Sequence, residues 1–192
     1  MKQMKKRVQK GCYGYIAYQK KFSVIRTVIY FAISLAIYGI GIYSTGSNKN
    51  LLTIVAVLGL LPACKSAINA IMFLKAHGCS ADAWEKISVY DDELTGFYDM
   101  YFTSYQKNFP LSHMVYKGSV ICAYTESEKC DCNAGEQHIE QMLLQDGIKH
   151  ITIKIFNNLE KYLDRLSQLS NLETDRQKNR DEVIQLFYSI SL

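Results

Sequence analysis

TVIYFAISLAIYGIGIY, residues Thr27–Tyr43, decides how this chain is read: it is a run of 17 residues without a charge. With Ser44 and the partly apolar approach from Phe22, it reaches the ~20 residues a helix needs to cross a hydrocarbon core. The stretch STGSNKN (Ser44–Asn50) follows, rich in turn formers. A second apolar run, Leu51–Leu74, is broken only by Lys65. Two such runs joined by a short polar turn read as a transmembrane helical hairpin, spanning at 27–44 and 51–74. Helices are required because backbone groups in lipid must be satisfied within their own segment. A helix from the core of a soluble protein would show a polar face, and Thr27–Tyr43 has none. A cleaved signal peptide is disfavoured by the long basic start, the lack of an A-x-A site and the second apolar run.

Working outward, the flanks carry the topology. Residues 1–26 form a basic juxtamembrane segment with Lys2, Lys5, Lys6, Arg7, Lys10, Lys20, Lys21 and Arg26, whereas the turn holds only Lys49. Basic residues stay on the cytoplasmic side. Both termini are therefore expected in the cytoplasm, in a multi-pass protein of the cell membrane. Tyr13, Tyr15, Tyr18 and Phe22 alternate with the lysines, a mixture suited to the headgroup level of the bilayer. Lys65 needs its own account, because a charge within a span is costly. Either it snorkels to the interface or it makes an intramembrane contact with a partner. Pro62 is a potential kink.

The charge asymmetry is sharp. No Asp or Glu precedes Asp82, so residues 1–81 hold 11 basic residues and no acid. Residues 82–192 hold 11 basic against 18 acidic residues, a formal charge of −7. The net +4 is thus a basic anchor plus an acidic domain. Because the positive charge sits beside the apolar runs, it argues for a lipid surface and not for nucleic acid. Six scattered cysteines do not form a secreted disulfide framework and read as reduced thiols.

Residues 80–192 are expected to form a small cytoplasmic α/β domain of the mixed α+β kind. A short helix follows Ser80. Phe97–Tyr105 reads as a strand ended by Asn108, Phe109 and Pro110; Ser112–Lys117 as a short strand; Ser119–Thr125 as a buried strand. Asn133 with Glu136 is a capping-box pattern opening a helix that Gly147 closes. His150–Phe156 alternates with Ile151, Ile153 and Ile155 on one face. Asn157 with Glu160 repeats the capping pattern before an amphipathic helix, and a last helix is expected from Asp175 to about Ser189. Strands, helix, strand and helices in this order give a sheet covered by helices. About 110 residues suffice for an independent core.

Candidate chemistry is sparse. Cys130, Cys132 and His138, with Cys122 as a possible fourth ligand, have zinc-binding side chains, but the spacing C-x-C-x5-H is not a zinc knuckle. The reading adopted is ordinary loop and core cysteines with no metal. Asp91, Asp92, Glu93, Asp99, Glu126, Glu128 and Lys129 invite comparison with metal-dependent nucleases. Glu126-Ser-Glu-Lys129 is E-x-x-K and not E-x-K, and it lies past the strand, so the register is wrong. Phosphate-loop, dinucleotide and nucleophile-elbow motifs do not occur. No cofactor is expected. The sequence points to a membrane-attached binding or regulatory module that binds a protein or small ligand at the inner membrane face. A membrane-tethered metal-dependent hydrolase and a structural subunit of a membrane complex are the alternatives.

Overall fold

The computed structural model describes residues 8–90, 94–104, 107–172 and 180–192. The chain divides into two compact units. One is a helical hairpin, Ile16–Ala76; in the other, residues 8–15 join those from His77 onward.

The hairpin consists of α1 (Tyr15–Thr45) and α2 (Leu51–Lys75), both long and apolar enough to cross a membrane. Asn50 caps α2, its Oδ1 accepting from Thr53 N at 2.8 Å. The helices run antiparallel with a constant register. Thr27 Oγ1 lies 2.8 Å from Ser66 Oγ. A Cβ on Gly59 would come within 2.8 Å of Ser34 Oγ, and one on Gly41 within 2.9 Å of Leu52 Cβ. The buried residues of α2 are Ala56, Ala63, Ser66, Ala70 and Phe73, a seven-residue repeat that Gly59 completes. Ser23 and Ser34 are the buried counterparts on α1. Small side chains spaced this way let two backbones approach closely. The large aliphatic side chains face outward instead: Ile40 is 62% exposed and Leu61 68%, whereas Ala63 is fully buried. Pro62 is carried inside the continuous α2. α1 starts well before the expected span because residues 15–26, though basic, contain nothing that stops a helix.

The second unit is mixed α+β. Its strands are β1 (Gly96–Thr103), β2 (Asn108–Lys117), β3 (Val120–Tyr124) and β4 (Thr152–Phe156), in the spatial order β1-β2-β3-β4. The first three pair antiparallel and β4 lies parallel to β3. Its helices are α3 (Ala81–Ile87), α4 (Cys132–Gln145), α5 (Leu159–Ser170) and α6 (Arg180–Ile190). α4 supplies the crossover that a parallel pair requires. Ile139 and Leu143 of α4 and Val183, Leu186 and Phe187 of α6 bury against one sheet face. Ala83 and Ile87 of α3 and Tyr162, Leu166 and Leu169 of α5 bury against the other. Ile151, Ile153 and Ile155 share the first face, as their alternation implied.

Several local expectations need correction. The helix expected to be capped by Asn133 is capped two residues earlier by Asp131, whose Oδ1 accepts from Ala134 N at 3.1 Å. Glu136 does not reach back to close a capping box; it accepts from Ile155 N at 2.9 Å and pairs with Lys154 at 3.0 Å. An outward-facing amide on an edge strand is thereby satisfied. The cap of α5 is Asn158 and not Asn157. Pro110 does not end a strand but lies inside β2, which begins at Asn108. β2 pairs with β3 only over Lys117–His113, so the missing amide of Pro110 costs no ladder bond, and its carbonyl accepts from Thr125 Oγ1 at 2.6 Å. β1 ends at Thr103, two residues earlier than expected. Gly147 (φ 79°) closes α4 as expected, with Ile148 N bonded to Leu143 O at 2.9 Å. The expected helix start at Asp175 lies outside the described residues; the described part runs Arg180–Ile190.

Candidate functional site

The most elaborate polar arrangement in the domain surrounds Gly78-Cys79-Ser80, the segment between α2 and α3. Asp99 sits in the middle of an aromatic strand, buried to 2% exposure and at φ 56°. Positive φ is uncommon outside glycine, and Asp is one of the residues that tolerates it. The register does not slip there: Tyr98 faces His113 and Met100 faces Leu111. The faces do change. Phe97 and Met100, three residues apart, both enter the first core, and so do Met114 and Leu111 opposite them. Both strands therefore turn over together at Asp99. The result aims the carboxylate at the incoming chain, where Asp99 Oδ1 accepts from Cys79 N at 2.7 Å. A Cβ at position 78 would fall 2.7 Å from the same oxygen, so only glycine fits.

Glu126, just past β3, completes the clasp. Its two oxygens accept from Ser80 N at 3.0 Å and Ser80 Oγ at 2.6 Å. Ser80 Oγ in turn accepts from Ala83 N as the cap of α3. Two carboxylates thus hold two consecutive residues, Cys79 and Ser80, by three charge-assisted bonds. Burial, reinforced by Glu126 and then Asp99, pushes the Cys79 thiol up to about 12. It is a protonated thiol and not a nucleophile.

Beside the clasp lies a buried imidazole. His113 Nδ1 is 2.8 Å from Tyr162 Oη, and its ring packs 4.3 Å from that of Tyr98. Tyr162 also stacks on Tyr124 at 5.5 Å. Burial lowers the His113 pKa to about 3, so the ring is neutral at physiological pH. It is enclosed by aromatic side chains, and its chemistry is that of a core hydrogen bond.

The N-terminal arm packs on the same domain. Gly11 O accepts from Tyr98 N at 2.8 Å, on the outer edge of β1. Farther along that edge, Tyr101 O accepts from Leu192 N at 2.8 Å. Lys10 Nζ donates to Tyr188 O at 2.8 Å and to Ser191 O at 2.5 Å, tying the arm to the C-terminal helix. Tyr13 stacks on Trp84 with ring centroids 4.9 Å apart.

The expected candidates distribute as follows. Cys122 is fully buried in the second core, while Cys130 and Cys132 pack against the first, on the opposite side of the sheet. His138 lies over the Phe109 ring at 5.5 Å. The four are not brought together, and among the described residues no group of three or more His, Cys, Asp or Glu could hold a metal ion. Burial raises the thiols of Cys122, Cys130 and Cys132 above the ordinary value. Of the acidic set, Asp99 and Glu126 are occupied with backbone amides, Glu128 and Lys129 are exposed in a turn, and Asp91, Asp92 and Glu93 lie outside the described residues. Lys65 is exposed on α2, beside Ser66 of the seam and level with Arg26 and Thr27. Sequence reasoning missed the clasp and the arm. The signal for the first was available: an aspartate inside FYDMYF (Phe97–Phe102) must be satisfied if that strand is buried.

Comparison with protein families, with curated proteins and with solved structures gives no match to this chain.

Proposed function

We propose that this chain is an integral membrane protein. α1 and α2 cross the cell membrane as an antiparallel hairpin, and the α+β domain is a binding module held at the cytoplasmic face, where it meets a protein partner. The observation that carries this reading is the inverted packing of the hairpin: small and hydroxyl side chains inside, large aliphatic side chains outside. In water that arrangement exposes what should be buried; in lipid, association rests on close backbone approach and the outer face meets acyl chains.

The dimensions agree. Thr27–Tyr43 spans about 24 Å at 1.5 Å per residue. A hydrocarbon core is about 30 Å thick. The outward-facing Ile68 and Ile71 of α2 supply the remaining height. Arg26 and Lys65 then lie about one helical turn inside the boundary, within reach of a snorkelling side chain. The eight basic residues before Thr27, against Lys49 alone in the turn, support a cytoplasmic position for both termini. Within the domain, Asp99, Glu126 and His113 are engaged in holding the fold together.

The test is topological. A reporter fused after Leu192 should read cytoplasm, one inserted at Ser47 should read exterior, and the chain should resist alkaline extraction from membranes. The opposite reporter pattern, or release at alkaline pH, would refute the assignment.

A further inference from the structure

Arg26 is a cation that the hairpin itself holds in place. Its Nε donates to Ser66 Oγ in a long bond of 3.4 Å, and its guanidinium carbon lies 5.7 Å from the centre of the Phe22 ring. Thr27 Oγ1 donates its proton to Ser23 O at 2.8 Å. The proton between Thr27 Oγ1 and Ser66 Oγ, 2.8 Å apart, must therefore come from Ser66. A directed relay results: Arg26 donates to Ser66, Ser66 to Thr27, and Thr27 to the backbone of α1. Both hydroxyl protons are committed within the relay. The terminal N–H donors of the guanidinium fork are not used in it.

Lys65 adds a second charge on the same side of the hairpin. Thr27 and Ser66 face each other across the seam, and Arg26 and Lys65 are the residues just before them. In two antiparallel helices a facing pair is related by a local twofold axis, so the preceding residues fall on one side. Residues 16–76 contain no Asp or Glu, so neither this hairpin nor the hairpin of a second copy supplies a carboxylate. On the membrane-spanning reading both cations lie inside the hydrocarbon boundary, where an unneutralised charge is costly. The anion at hand there is the phosphate of a lipid headgroup. A planar guanidinium matches phosphate through parallel N–H···O bonds. Side chains of a helix lean toward its N-terminus, which in α1 is the cytoplasmic end on that reading. Arg26 therefore leans toward the headgroups and is the principal ligand. Lys65, on the helix of opposite direction, bends back on its flexible stem.

We propose that Arg26, clamped by Ser66, and Lys65 form a binding site for the phosphate of an anionic lipid in the cytoplasmic leaflet. The proposal rests on the membrane-spanning reading of the hairpin. A headgroup of net negative charge is favoured over a zwitterionic one because two cations share one side of a hairpin that has no carboxylate.

The full chain, purified in a neutral detergent, is mixed with phosphatidylglycerol, with phosphatidylcholine or with inorganic phosphate, and bound molecules are counted by native mass spectrometry. Phosphatidylglycerol should be retained in preference to phosphatidylcholine, and inorganic phosphate should not displace it. Arg26→Gln should weaken phosphatidylglycerol binding by about tenfold, the scale of a hydrogen bond to a charged group. Lys65→Gln should weaken it by about fivefold, as for one cation near an anionic surface. Ser66→Ala keeps every charge and releases the clamp, so it should weaken binding by about threefold through lost preorganisation. Lys49→Gln, in the turn, should leave binding unchanged. Equal retention of the two lipids, displacement by inorganic phosphate, weakening by Lys49→Gln equal to that by Arg26→Gln, or undiminished binding in any of the first three variants would overturn the site. Alkaline extraction of the unmodified chain from membranes separates this from the reading beneath it. Resistance to extraction without a lipid preference would overturn the site and leave the spanning hairpin intact, and release would overturn both.

Discussion

The hairpin and the domain are packed on opposite plans. In the hairpin, Ala56, Ala63, Ser66 and Ala70 are buried while Leu58, Leu61 and Ile68 are exposed. In the domain, Met100, Phe102, Ile121 and Ile139 are fully buried and, Asp99 apart, the described Asp, Glu, Lys and Arg residues are not. A leucine is thus placed by different rules within one chain. The domain follows the hydrophobic effect, with about 25 cal/mol gained per Å² of apolar surface withdrawn from water. The hairpin buries small residues instead, which lets two backbones approach. On the proposed membrane-spanning reading, the difference reflects the solvent for which each part is built.

The comparison is sharpened most by making similar deletions in both regions. Phe102→Ala, at a fully buried position, should cost about 3–5 kcal/mol. That is a large share of a typical domain's stability, so the domain should melt early or not fold. Leu61→Ala, 68% exposed on α2, should change the stability of the protein in detergent by no more than about 0.5 kcal/mol. Thermal unfolding of the full chain in detergent, followed by Trp84 emission for the domain and helicity for the hairpin, measures both. A large loss from Leu61→Ala would mean that its face packs against protein, and the contrast between the two regions would fail.

A medium effect is expected from His113, an ionisable group that burial holds neutral in the domain. Its pKa is lowered to about 3 in the folded state against the ordinary 6.5. The unfolded chain therefore binds a proton that the native chain refuses. The stability contribution is complete above about pH 6.5 and is lost as pH falls toward 3. The slope in that window is about 1.4 kcal/mol per pH unit. Denaturation of the full chain at pH 7, 6, 5 and 4 should show this slope, and His113→Asn, which does not titrate, should flatten it relative to the unmodified protein. Parallel profiles for the two would show that the imidazole is protonated without cost, and hence is not enclosed as described.

The smallest effect belongs to the cysteine loop. Cys130 and Cys132 are partly buried against the first core, and Cys122 is on the other side of the sheet. Changing both to Ser should cost about 1 kcal/mol or less each, within the range for partly buried groups. Metal content measured by elemental analysis should not differ between the two forms. Stoichiometric zinc lost in the double variant, together with a large fall in melting temperature, would contradict this.

What the sequence determined by itself was whatever repeats with a period or stops abruptly. The two apolar runs, the polar turn between them, the charge step at Asp82, the Ile151–Ile153–Ile155 alternation and the glycine at 147 are local patterns that act over one or two turns of chain. They placed the hairpin, the order of strands and helices, and the mixed α+β class. The seven-residue repeat of small residues on α2 was equally local, but it was hidden because alanine and serine do not stand out in an apolar run. Tertiary structure alone decided where each polar side chain finds its partner. Glu136 suits a capping box by spacing, yet β4 offers it an edge amide 19 positions away. Asn108-Phe109-Pro110 looks like a strand end, yet β3 stops pairing before Pro110 and leaves room for it. Asp99 and Glu126 look like an acidic cluster, yet the chain leaving α2 brings them the amides of Cys79 and Ser80. A hydrogen-bonding group is satisfied by whatever the fold brings within about 3 Å, and that proximity belongs to the assembled fold and not to sequence spacing.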